Sequence, residues 1–104
     1  MENYSAMIRN VFELGSVLDA ESLFEAIVKN AFPTNDFRRL ELIRFVKDEK
    51  YLEGRSWNHV FQIRAATIKE HPVWEVTCQR VTMGIAPEKK AVLDYNSLNF
   101  LQYE

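Results

Sequence analysis

The sequence predicts an α+β domain, an N-terminal αα-hairpin packed on an antiparallel meander of three to four strands. Three observations carry this reading. Apolar residues recur at helical spacing through the first third of the chain. Between Trp57 and Met83 a ribbon alternates apolar and polar residues with a period of two. Glycine and proline number only three each among 104 residues, so the chain is not built from loops.

Residues 3 to 17 place Met7, Ile8, Val11, Phe12 and Leu14 at three- and four-residue steps, which predicts a first helix ending at Gly15-Ser16. Asp19 is positioned to cap a second helix, with Glu21 and Glu25 suited to its positive N-terminal end. Its stripe is Leu23, Phe24, Ile27, Val28 and Phe32, and Pro33 ends it by disfavouring helical backbone at the residue before.

Residues 36 to 50 admit two readings. As a helix, Phe37, Leu40, Ile43 and Val46 share one side, but Arg39, Lys47 and Lys50 fall on the same arc. As a strand from about 39 to 47, the segment carries apolar groups on both faces, as a partly covered central strand does. The strand is the favoured reading.

In the hairpin, Trp57, His59, Phe61, Ile63 and Ala65 share a face with Trp74, Val76 and Cys78. A four-residue loop Lys69-Glu70-His71-Pro72 would pair Ile68 with Val73, Thr67 with Trp74, Ala65 with Val76 and Ile63 with Cys78. The other face is polar near the turn, with Gln62, Arg64 and Ala66 opposite Gln79, Thr77 and Glu75. Towards the open end it becomes apolar, Val60 facing Val81 and Asn58 facing Met83. Meanwhile the first face turns polar, Phe61 meeting Arg80 and His59 meeting Thr82. A bulge near Arg80, cover on both faces, or an exposed apolar patch for a partner would each produce this switch. Residues 86 to 90 then read as a second turn, with Pro87 presetting its backbone. Ala91 to Tyr103 reads as one irregular strand, interrupted around Asp94-Tyr95-Asn96-Ser97.

A chain of 104 residues with 47% hydrophobic and 27% charged residues reads as a single domain over 1–104 able to fold without staples. No apolar run approaches the ~18 residues a membrane span requires. The start Met1-Glu2-Asn3-Tyr4 has no secretory pattern, and Cys78 stands alone, so a cytoplasmic location is expected. The net charge of −2 gives no overall basic field for nucleic acid. Arg38, Arg39, Arg44, Lys47, Lys50 and Arg55 are interleaved with Asp36, Glu41, Asp48, Glu49 and Glu53, the pattern of a solvated mixed-charge face.

Catalytic signatures are missing from the sequence. His59, His71 and Cys78 lack metal-ligand spacing, and in the expected register His59 lies about 13 Å along the strand from Cys78. Gly15, Gly54 and Gly84 are too dispersed for a phosphate loop. Neither an enzyme, a cofactor nor a metal is therefore expected. What remains is a small protein-binding domain, an adaptor, inhibitor, antitoxin-like or immunity-like factor. Tryptophan is favoured at binding hot spots, so Trp57, His71, Val73 and Trp74 are the candidate partner contacts, Trp74 foremost. An open sheet edge also makes a homodimer an expected assembly.

One segment suggests a second reading. Asp36 to Gly54, DFRRLELIRFVKDEKYLEG, resembles the third helix and first wing strand of winged-helix proteins. That resemblance implies a DNA-binding regulator in which Asn35, Arg38 and Arg39 approach the major groove and Arg55 lies near a phosphate.

Overall fold

A computed structural model describes residues 3–81, 84 and 87–104. Two helices, α1 (Ser5–Phe12) and α2 (Val17–Ala31), precede six strands: β1 (Glu41–Val46), β2 (Tyr51–Arg55), β3 (His59–Ile68), β4 (His71–Arg80), β5 (Glu88–Asp94) and β6 (Phe100–Tyr103). The strands form one antiparallel sheet in sequence order, an α+β architecture with six strands where three to four were expected. No described helix is long and apolar enough to cross a membrane.

The helices form where the apolar spacing places them. Ile8, Val11 and Phe12 are the buried face of α1. Ala20, Leu23, Phe24, Ile27, Val28 and Ala31 are that of α2. Ser16, not Asp19, caps α2, its hydroxyl accepting from the Asp19 backbone N–H at 3.2 Å. That leaves the Asp19 carboxylate in the first turn, where it accepts from Asn10 Nδ2 at 2.9 Å and ties the two helices together.

The sheet-side core joins these helical residues to Leu52, Phe61, Ile63, Trp74, Val76, Cys78, Ala91 and Leu93. Its neighbouring strands confirm the apolar face read from alternation in β3 and β4. The register differs from the expected one by two residues: Ile68 pairs with His71, Ala65 with Trp74 and Phe61 with Cys78. A shift of two preserves every side-chain direction, which is why the faces survive the correction. The cause is a tight two-residue turn at Lys69 and Glu70, both at positive φ (50° and 68°), the geometry usually supplied by Asn-Gly. No bulge interrupts this ribbon; the pairing runs unbroken to His59 and Arg80.

Residues 41–46 are a strand, at the sheet edge and not its centre. A register shift between Leu42 and Arg44 turns both Leu42 and Phe45 towards the core and leaves Ile43 exposed. The winged-helix resemblance therefore lacks its recognition helix, since 36–54 runs as an open segment followed by the β1–β2 hairpin. The expected turn at 86–90 is also corrected: Glu88, Lys89 and Lys90 pair with Gln79, Cys78 and Thr77 in β5, and Ala86 lies outside the described residues. The final segment is two strands, because Asp94 folds back on the turn by accepting from Ser97 N and Oγ at 2.9 and 2.8 Å.

Gly54 allows β2 to approach α2. A Cβ there would stand 2.2 Å from Phe24 Cζ and 2.7 Å from the Glu41 carbonyl oxygen, and the latter belongs to backbone that cannot swing aside. Gly54→Ala is therefore expected to destabilise the fold by about 1–3 kcal/mol through overpacking. Urea unfolding followed by circular dichroism measures it, and a loss below about 0.5 kcal/mol would contradict this packing.

Candidate functional site

The residues expected to contact a partner do not form one site. Trp74 and Val73 are 0% and 1% exposed, so neither is available to a partner. Trp74 stacks on Tyr95 (centroids 4.9 Å) and on Phe12 (5.7 Å), and its indole N–H donates to the Tyr95 carbonyl at 3.0 Å. Its position beside a turn signalled exposure, but the turn folds over it. His71 is exposed, with Nε2 2.6 Å from Asp94 Oδ1. The Ser97 backbone N–H, the Ser97 hydroxyl and His71 hold the Asp94 carboxyl below its ordinary range, with burial opposing them. This contact lies at the turn end of a ten-residue strand, about 30 Å from the open end.

Trp57 sits at that open end and is 69% exposed. The short β2–β3 connection is tied down by backbone hydrogen bonds. The Trp57 N–H donates to the Arg38 carbonyl (3.1 Å), Ser56 N–H donates to the His59 carbonyl (2.9 Å), and His59 N–H donates to Ser56 Oγ (3.1 Å). Around it, Arg39, Arg55, Val60 and Val81 line an open depression of about 530 Å³. Val60 and Val81 are exposed, but the expected switch is corrected: Val60 pairs with Gln79 and buried Phe61 with Cys78, while Thr82 and Met83 lie outside the described residues. Arg55 is paired with Glu41 (3.3 Å), whereas Arg39 makes no ion pair among the described residues. Two of the four residues implied by the DNA reading thus gather beside Trp57. Arg38 contributes its carbonyl, and Asn35 lies in the adjoining cavity.

That second cavity, of about 460 Å³, lies between the 32–37 segment and the ends of β3, β4 and β5. Phe32, Phe37, His59 and Cys78 form its inner wall, with Arg80 and Lys89 at the rim. The wall continues the core aromatics: Phe24 meets Phe61 edge-on at 5.9 Å, Phe61 meets Phe37 at 5.0 Å, and Phe37 meets His59 at 5.1 Å. His59 Nδ1 lies 2.7 Å from Asn58 Oδ1, an oxygen that can only accept, so Nδ1 carries the proton. Burial first, then the charges of Arg80 and Lys89, hold the His59 imidazole below its ordinary value.

The observed register brings Cys78 and His59 to one cavity, where the expected register separated them. They do not form a nucleophilic pair. Burial pushes the Cys78 thiol up to about 11, so it stays protonated at neutral pH. No group of three or more metal-ligating side chains occurs among the described residues. The cavity residues Phe37, Arg80 and Lys89 escaped the sequence reading because three distant segments supply them. No family model, curated protein or solved structure matches the chain significantly.

The two tryptophans should behave oppositely. Trp74→Ala is expected to cost about 3–5 kcal/mol. Trp57→Ala should stay within about 0.5 kcal/mol of the parent, as measured by chemical denaturation.

His59 is expected to titrate below 6.5, with Arg80→Gln moving it upward, as read by imidazole NMR against pH. The unfolded chain binds this proton at higher pH than the fold does. The contribution of His59 to stability is therefore complete above its ordinary value and declines as pH falls below it.

Proposed function

We propose that this protein is a non-enzymatic protein-binding domain, of the adaptor, inhibitor, antitoxin-like or immunity-like kind, and that its contact surface is centred on Trp57. The observation that supports this reading is an exposed indole on a backbone fixed by three hydrogen bonds. A large side chain on a fixed backbone has only its own two torsions to order on binding, so its burial contributes more fully to affinity. Val60 and Val81 extend the apolar centre, and Arg39 with the Arg55–Glu41 pair supplies a polar rim. Apolar anchor inside and charge outside is the usual anatomy of a protein interface. The edge strand β6, whose four residues are all exposed, offers a separate route to strand pairing and hence to a homodimer.

A DNA-binding regulator is the alternative, and Arg39 beside Arg55 is the feature that favours it. Salt separates the two readings, since phosphate contacts weaken steeply with ionic strength.

Quantitative capture from source lysate, with and without nuclease, tests the proposal. The parent protein should retain a stoichiometric protein partner through a rise from about 50 to 300 mM salt, an interval over which phosphate-driven binding collapses. Trp57→Ala should lower affinity for that partner by at least about 2 kcal/mol while its melting curve is unchanged. Equal retention by Trp57→Ala would place the interface elsewhere. Recovery of nucleic acid alone, lost with salt and with Arg39→Ala, would replace this reading with the DNA-binding one.

A further inference from the structure

We infer that the cavity between Phe37, His59, Arg80 and Lys89 is a binding site for a small planar aromatic carboxylate, distinct from the Trp57 surface and independent of the protein-binding reading.

Charge is the first argument. The protein is net acidic, yet this cavity contains two cations and no carboxylate among its lining residues. Neither Arg80 nor Lys89 forms an ion pair among the described residues. The sequence from 82 to 86, Thr-Met-Gly-Ile-Ala, contains no acid that could neutralise them. The other basic residues on the strands are partnered: Arg44, Arg55 and Lys90 each have a carboxylate within 4 Å, and Arg64 lies over the Tyr51 ring. Two cations converging on one hollow without a counter-charge attract an anion, and arginine offers a carboxylate two parallel hydrogen bonds.

The shape and lining select the rest of the ligand. Beneath the charged rim lie Phe32, Phe37 and the protonated thiol of Cys78, none of which donates strongly to an anion. Phe37 stands edge-on to Phe32, His59 and Phe61, so this wall is held by rings at 5.0 to 6.2 Å from Phe37. A flat apolar body fits against such a wall by stacking or edge contact. Asn35 and Asn58 supply further polar groups. The volume of about 460 Å³ lies within the range of small-molecule sites, which are mainly apolar with a few convergent polar groups. A free anion such as acetate would use the rim and leave the wall wet. A neutral ring would use the wall and leave both cations unpaired.

Heteronuclear NMR titration of the full chain with 1-naphthoate tests the site, with acetate and neutral 1-naphthalenemethanol as comparison probes. Saturable shifts are expected at Asn35, Asn58, His59 and Lys89, with 1-naphthoate binding at least about fivefold more tightly than either comparison probe. Arg80 and Lys89 are exposed, so Arg80→Gln and Lys89→Gln should fold normally. Each should weaken 1-naphthoate about fivefold, and the double variant should abolish measurable saturation. Trp57→Ala should bind 1-naphthoate as the parent does, which separates this site from the protein-binding surface. Four results would overturn the inference. These are no saturation by about 10 mM, weaker than almost any specific small-molecule site; shifts confined to other residues; equal binding of a comparison probe; or parental affinity in the double variant.

Discussion

The structure depends on the burial of Trp74. This one side chain, at 0% exposure, joins elements that are distant in sequence. It lies on β4 between its strand partners Ala65 and Leu93, stacks on Phe12 of α1, and stacks on Tyr95 of the β5–β6 turn. The indole N–H is the one polar group that such burial would strand, and the Tyr95 carbonyl accepts from it. The same turn accepts from the Tyr4 N–H through Asn96 at 2.7 Å, anchoring the start of α1. Helix, sheet and C-terminal hairpin thus meet at one aromatic cluster.

The opposite end of the sheet is organised differently, and the difference concerns function. There the aromatic packing runs outward from Phe24 through Phe61 to Phe37 and His59, and among the described residues does not close over. Phe32 branches from Phe37 towards Tyr103 on β6. The result is a hollow with an apolar wall and an unneutralised basic rim, while the neighbouring Trp57 stands clear of the core on a hydrogen-bonded turn. His59 lines both depressions, so one imidazole is the boundary between them. Its displaced titration reflects that position, partly withdrawn from water and close to two cations.

The remote face of the sheet makes a useful contrast because its charges are satisfied. Tyr51 is buried there and its hydroxyl donates to Glu53, which also accepts from Arg44 at 3.3 Å. The guanidinium groups of Arg44 and Arg64 lie over the Tyr51 ring at 5.3 and 4.8 Å. Burial and the neighbouring carboxylate both raise the phenol above its ordinary value, so it remains a neutral donor. Basic residues on that face have carboxylate or aromatic partners, so the uncompensated pair at Arg80 and Lys89 is a local departure within the same sheet.

Two kinds of information were legible in the residues alone. Periodicity located both helices and named the apolar face of the central ribbon, because side-chain direction follows from backbone geometry over a few residues. Phe61, Ile63, Trp74 and Val76 on one side, against Gln62, Arg64 and Glu75 on the other, needed no tertiary knowledge. Three features did need it. The two-residue turn at Lys69-Glu70 has no glycine or asparagine to announce it, so pairing along the whole ribbon decided the loop length. The strand β2 appeared only as part of the winged-helix resemblance, because its close packing on α2 at Gly54 depends on Phe24, thirty residues away. Trp57 and Trp74 look alike in sequence, each beside a turn, yet one is exposed and the other sealed. Burial is a property of what other segments bring to a residue, and only the assembled fold sets Phe12 and Tyr95 against one indole and leaves the other exposed.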